Sequence, residues 1–216
     1  MIYILIALAL FGALTMILSR QNERSSNESV TEDLLNFEAT RLKSYAASAQ
    51  DSVNKMIMSG SNVDELDFTM PNSPSYELGI TIQKVFHPEG GGLLPGTVET
   101  RIFTGTDNAP APGWYMGRFN HVQWTPTTAT DIILTAHQIS QPLCAQINRD
   151  ITGSDVIPAI AGTGILRDYF IDDVLHTGTN ANLTTIVCAA CDQKPALCVS
   201  NAAQNMWSVY FVIEGR

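Results

Sequence analysis

The first 18 residues, MIYILIALALFGALTMIL, hold 16 apolar side chains interrupted only by Gly12 and Thr15, and the first charge is Arg20. As a helix this run is about 27 Å long, against about 30 Å for the hydrocarbon core of a bilayer. The pattern predicts a membrane or helix-packing segment over 1–19. Apolar residues then recur mostly three and four apart (Val30, Leu34, Phe37, Leu42, Tyr45, Ala46, Ala49, Val53, Ile57), the period of an amphipathic helix. Between the two parts, Ser29 with Glu32 three residues on reads as a capping box. Either one helix runs over about 2–58 or it restarts near 21–29. A continuous helix would measure about 85 Å, longer than a globular domain of this size needs.

Beyond Met58 the period of 3.6 disappears. SGSNVDELDFTMPNSPS reads as a helix exit and loop. Tyr76 to Phe86 and Thr97 to Thr104 are β-branched and partly alternating, with HPEGGGLLPG as a long turn between them. Met116 to Trp124 and Asp131 to Thr135 are weaker strands, and a short helix is expected after Ser140, with Pro142 in its tolerant first turn. Met206 to Ile213, MWSVYFVI, is the clearest strand. The expected fold class is α+β: a long N-terminal helical stalk over 1–58 followed by a β-rich globular head with disulfides over 59–216.

Composition narrows the function classes. Twelve Lys and Arg against 21 Asp and Glu give a net charge of −9, which argues against nucleic acid as a partner, because phosphate neutralisation needs clustered cations. With 45% apolar and only 15% charged residues the chain is too hydrophobic to be disordered. A cleavable signal peptide fits the N-terminus poorly: no basic residue precedes the apolar run, no A-x-A-like site follows, and the run exceeds an ordinary h-region.

All four cysteines, Cys144, Cys188, Cys191 and Cys198, lie in the head. In an exported head they are expected to form two disulfides, with three pairings open to sequence and one bridge expected to tie Cys144 on the central helix to the C-terminal loop. The CAAC run at 188–191 also admits a zinc knuckle or a thioredoxin-like redox pair. His87, His121, His137 and His176 are scattered without metal-ligand spacing, and no nucleophile elbow, P-loop or GxGxxG occurs. Asp155, Asp168, Asp172 and Asp173 carry calcium-type oxygens without EF-hand spacing and read as solvated loops. NES at 27 and NLT at 182 match the glycosylation sequon. No catalytic residue, cofactor or metal is expected.

An apolar 18-mer continuing as an amphipathic helix and followed by a cysteine-bearing head resembles the type IV pilin-like superfamily of pilins and pseudopilins. The resemblance implies a structural subunit of an extracellular helical filament, not an enzyme. It implies that Met1 is the N-methylated residue left when a short basic leader is removed. The polymerising helix would use Met1, Ile2, Ile4, Leu5, Leu8, Leu10, Phe11, Leu14, Ile17 and Leu18. Implied partners are further copies of the chain, the inner membrane before assembly, and a pilus or secretion assembly machinery. Leu5 departs from the Glu usual at that position in the family's bacterial members. The alternatives are a single-pass anchored extracytoplasmic binding protein, or an anchored thiol oxidoreductase using Cys188 and Cys191.

Overall fold

The computed structural model describes residues 31–108, 110–162, 165–172 and 180–216. Residues 31–58 are helical (α1), and the chain divides into two units between Glu38 and Ala39. In the first unit the described residues are 31–38, with Leu34 and Phe37 exposed. The remainder of this description concerns the second unit, Ala39–Arg216.

Its framework is a four-stranded antiparallel sheet of β1 (Gly113–Asn120), β2 (Asp131–His137), β3 (Ala196–Ser200) and β4 (Trp207–Glu214), in the order β1-β2-β4-β3. Two further helices are α2 (Gln141–Thr152) and α3 (Leu166–Phe170). α2 starts after Ser140 with Pro142 in its first turn and stops at Gly153, whose φ of 78° supplies the left-handed cap. The strands are buried on both faces, so β2 reads as seven consecutive buried residues rather than as an alternation.

The second part of α1 buries Ala39, Leu42, Ala46, Ala49, Val53 and Met56, a strict three-four repeat that keeps one stripe toward the core. Three of the six are alanines, which let the helix backbone come close. Tyr45 lies beside that stripe with its ring 4.6 Å from that of Trp114 on β1, and Phe103 meets Trp114 edge-on at 6.0 Å. Burial pushes the Tyr45 phenol up to about 12. α2 joins the same sheet face through the Cys144–Cys198 disulfide to β3. The opposite face carries Phe119, Ile133, Tyr210, Leu197 and Val199 against α3 and the Cys188–Cys191 turn, with Phe170 stacked on Tyr210 at 5.1 Å.

This arrangement overturns the expectation of a long helical stalk carrying a β-rich head. Residues 39–58 are not a free-standing rod: their apolar stripe is part of the core of the unit that holds the sheet. Among the described residues no helix is long and apolar enough to cross a membrane. The membrane segment expected over 1–19 lies outside the described residues. The sheet itself is small, because Tyr76 to Phe86 and Thr97 to Thr104 do not pair as strands. The first is taken up in turns around Gly79 (φ 86°) and a short 3-10 turn at Thr81–Gln83, and in the second Glu99 turns back to bind Arg101 and Arg41. β propensity without a neighbouring strand to pair with does not make a strand.

Candidate interaction surface

The antiparallel order brings the end of β1, the start of β2, the end of β4 and the start of β3 to one end of the sheet. The loops gathered there are held by a buried carboxylate. Asp131, fully buried, accepts hydrogen bonds from the Val122 amide (2.7 Å), the Thr125 hydroxyl (3.0 Å) and the Arg216 amide (2.9 Å). These donors make the burial of a charge tolerable. The Arg216 guanidinium in turn grips Asp64 with two bonds, 2.5 and 3.0 Å long, and holds that carboxyl below its ordinary range.

A second set of bonds fixes the turn beside it. The Leu183 amide donates to the His121 carbonyl, the Gln123 amide donates back to the Leu183 carbonyl, and the Gln123 side chain accepts from the Thr185 amide (2.8 Å) and hydroxyl (3.2 Å). The Thr184 carbonyl accepts from the Val187 and Cys188 amides. The Cys188–Cys191 disulfide then closes the turn, its Cα atoms 5.3 Å apart, and Trp124 Nε1 donates to the Lys194 carbonyl. At the tip Ile186 is 87% exposed, next to exposed Ala189 and Ala190. The frame thus presents an apolar tip and the Thr-rich 125–130 loop at one end of the sheet.

The four cysteines form two disulfides, and no described cysteine is free. Cys188 and Cys191 are buried in the core, where no thiolate partner has access. The residues expected to form the polymerising helix, Met1 to Leu18, lie outside the described residues, as do His176, Asp173 and the sequon at Asn27. Asp155 is paired with Arg149 at 3.1 Å. Among the described residues no group of three or more His, Cys, Asp or Glu side chains is placed to hold a metal ion. Asn182, of the second sequon, is exposed and accepts a 3.3 Å bond from the His121 amide.

The three described histidines are engaged separately. His87 sits between Glu77 and Glu89, and His121 approaches Asp131 at 3.8 Å. His137 pairs across the sheet with Ser208, Nδ1 to Oγ 2.8 Å. Burial drives the His137 imidazole down to about 4, Asp107 opposes this and Arg167 adds to it, so the ring is neutral at neutral pH. This Ser–His contact has the elements of a nucleophile and base, but Ser208 is fully buried between neighbouring strands, and the pair serves as a cross-strand hydrogen bond.

Three features escape a reading by motif. Lys84 is 1% exposed in a strand-like run and donates to the Ser75 (2.8 Å) and Tyr76 (2.6 Å) carbonyls. Asn148 lies four residues after Cys144 on the buried face of α2, and that spacing is the only trace it leaves in sequence. Leu78, Ile80 and Ile82, expected to alternate into a sheet, are exposed instead. Comparison with protein-family models, with curated proteins and with solved structures finds no match to this chain.

Proposed function

We propose that the chain is a structural subunit of an extracellular helical filament of the type IV pilin-like kind, assembled through its apolar segment 1–18 and exposing the disulfide-bearing unit at the surface. The observation that carries this reading is the 18-residue run with 16 apolar side chains placed ahead of a unit locked by two disulfides. Disulfides belong to an oxidising compartment, and the apolar run supplies both a place in the membrane before assembly and a packing surface after it. Burying about a dozen large apolar side chains at about 1.5 to 3 kcal/mol each outweighs any single exposed ion pair, worth about 0 to 1 kcal/mol, so Leu5 in place of a carboxylate is compatible with assembly. A repeated heterologous contact generates an open helix rather than a closed ring.

In this reading the loop cluster around Asp131 and the Cys188–Cys191 turn is a contact surface of the filament. Negative-stain microscopy of sheared cell-surface material tests the proposal: filaments that bind antibody against this unit are expected, and their absence from cells that make the protein overturns it.

A further inference from the structure

Asn182, Leu183 and Thr184 form an N-x-T sequon in the described part of the chain. Such a triplet is an acceptor of carbohydrate only where its asparagine is exposed, lies in irregular backbone and belongs to an exported protein. Asn182 is exposed and lies outside helix and strand, and the two disulfides of the unit are bonds of an oxidising compartment. Its side-chain amide is also used differently from those of its neighbours. Asn120 Nδ2 donates to the Tyr169 and Ala181 carbonyls, Asn148 Nδ2 to the Cys198 carbonyl and Asn180 Nδ2 to the Ile171 carbonyl, all at 2.6 to 2.8 Å. Among the described residues Asn182 Nδ2 has no such acceptor, and Oδ1 takes only the 3.3 Å bond from the His121 amide. The backbone on either side is fixed, the Ala181 amide donating to the Asp168 carbonyl at 2.8 Å and the Leu183 amide to the His121 carbonyl at 3.0 Å. Thr184 is half-buried, and its Oγ1 accepts from the Val187 amide at 3.4 Å.

We infer that Asn182 is an N-glycosylation site, its sugar donor a lipid-linked oligosaccharide phosphate. In the transfer Nδ2 forms a bond to the anomeric carbon of the sugar, and the bond from that carbon to the phosphate oxygen breaks. The lipid phosphate leaves with the electron pair, Nδ2 gives up one proton to a base of the transferase, and nothing is oxidised or reduced. The modification costs the fold little, because it changes the one atom of this side chain that holds nothing. Oδ1 remains a carbonyl oxygen and keeps the His121 bond. Asn120, Asn148 and Asn180 could not be modified in this way without releasing backbone carbonyls. The site belongs to the turn that carries exposed Ile186, so carbohydrate becomes part of what this end of the sheet presents. The inference shares with the filament reading the export of this unit, and it does not depend on polymerisation.

The test uses the full chain isolated from the cells that make it. Free thiols are alkylated with one label before reduction and with a second after it, and the peptide containing Asn182 is analysed by mass spectrometry together with those containing the cysteines. A peptide heavier by one or more sugars at Asn182 is expected. The added mass should be lost in Asn182→Gln and in Thr184→Val, which keeps the β-branched shape without the hydroxyl, and retained in Thr184→Ser. Unmodified Asn182 in a chain whose Cys188 and Cys191 are oxidised overturns the glycosylation site and leaves the filament reading standing. Unmodified Asn182 with reduced cysteines overturns the export that both require. A glycan that persists in Thr184→Val overturns the sequon as its signal.

Discussion

The side-chain amide of Asn148 makes both hydrogen bonds to the backbone of Cys198: its Oδ1 accepts from the Cys198 amide at 2.8 Å and its Nδ2 donates to the Cys198 carbonyl at 2.8 Å. Cys198 is on β3, an edge strand, and its disulfide partner Cys144 lies one helical turn before Asn148. One turn of α2 thus supplies a covalent bond and a strand-like pair to the same residue. Pro158 and Ile160 cover the next position of that edge by bonding to Ser200, so the edge is already paired at Cys198 and Ser200.

Replacing Asn148 by Ala leaves the amide and carbonyl of Cys198 buried without partners, and also removes the bond from Nδ2 to the carbonyl of exposed Val156. A loss of about 2 to 4 kcal/mol is expected, read from urea denaturation midpoints at unchanged m. A loss under about 0.5 kcal/mol would show that the amide does not support the edge.

The two disulfides are expected to differ in worth. Cys144–Cys198 closes a sequence separation of 54 and Cys188–Cys191 one of 3. Loop-closure entropy assigns them about 4 and about 2 kcal/mol respectively. Denaturation of the paired alanine variants should rank them in that order.

Acid should weaken the fold through His137. Its folded pKa, about 4, lies below the ordinary 6.5, so between these values the unfolded chain takes up a proton that the folded one excludes. The contribution is complete above pH 6.5 and is lost as the pH falls toward 4, by about 3 kcal/mol in all. Comparing stability at pH 7 and pH 4.5 isolates it: His137→Asn, which keeps a partner for Ser208, should lose less between the two pH values than the parent. Equal losses would exclude this histidine as the source.

Lys84→Met should loosen one loop rather than the whole unit. The substitution keeps the apolar stem but strips the Ser75 and Tyr76 carbonyls of their buried donor, at a cost of about 1 to 3 kcal/mol. Amide exchange is expected to accelerate over 75–92 while β2 and β4 keep their protection. Uniform acceleration would place Lys84 in the global core instead.

Much of the sheet is legible in the sequence because its strands carry their own signal. The run MWSVYFVI is β4 within one residue, β2 begins at Asp131 as read, and α2 starts after Ser140. β3 is missed because five residues, two of them small, between Pro195 and Asn201 carry too little periodicity. The false strands at 76–86 and 97–104 have β-branched residues but pair only at single bridges, Lys84 with Asp67 and Phe103 with Ile139, and Lys84 and Glu99 spend their side chains on local carbonyls and on Arg41, contacts that no local pattern encodes. The surface residues are least legible, because exposure at Ile80 or Ile186 depends on what the rest of the chain fails to cover.

Whether the apolar segment 1–18 drives self-assembly is decided by light scattering. The full chain and a chain lacking residues 1–20 are compared after detergent is withdrawn. Extended polymers are expected from the first and a folded, disulfide-bonded monomer from the second. A full chain that stays monomeric, or a truncated chain that polymerises equally well, would contradict self-assembly through this segment.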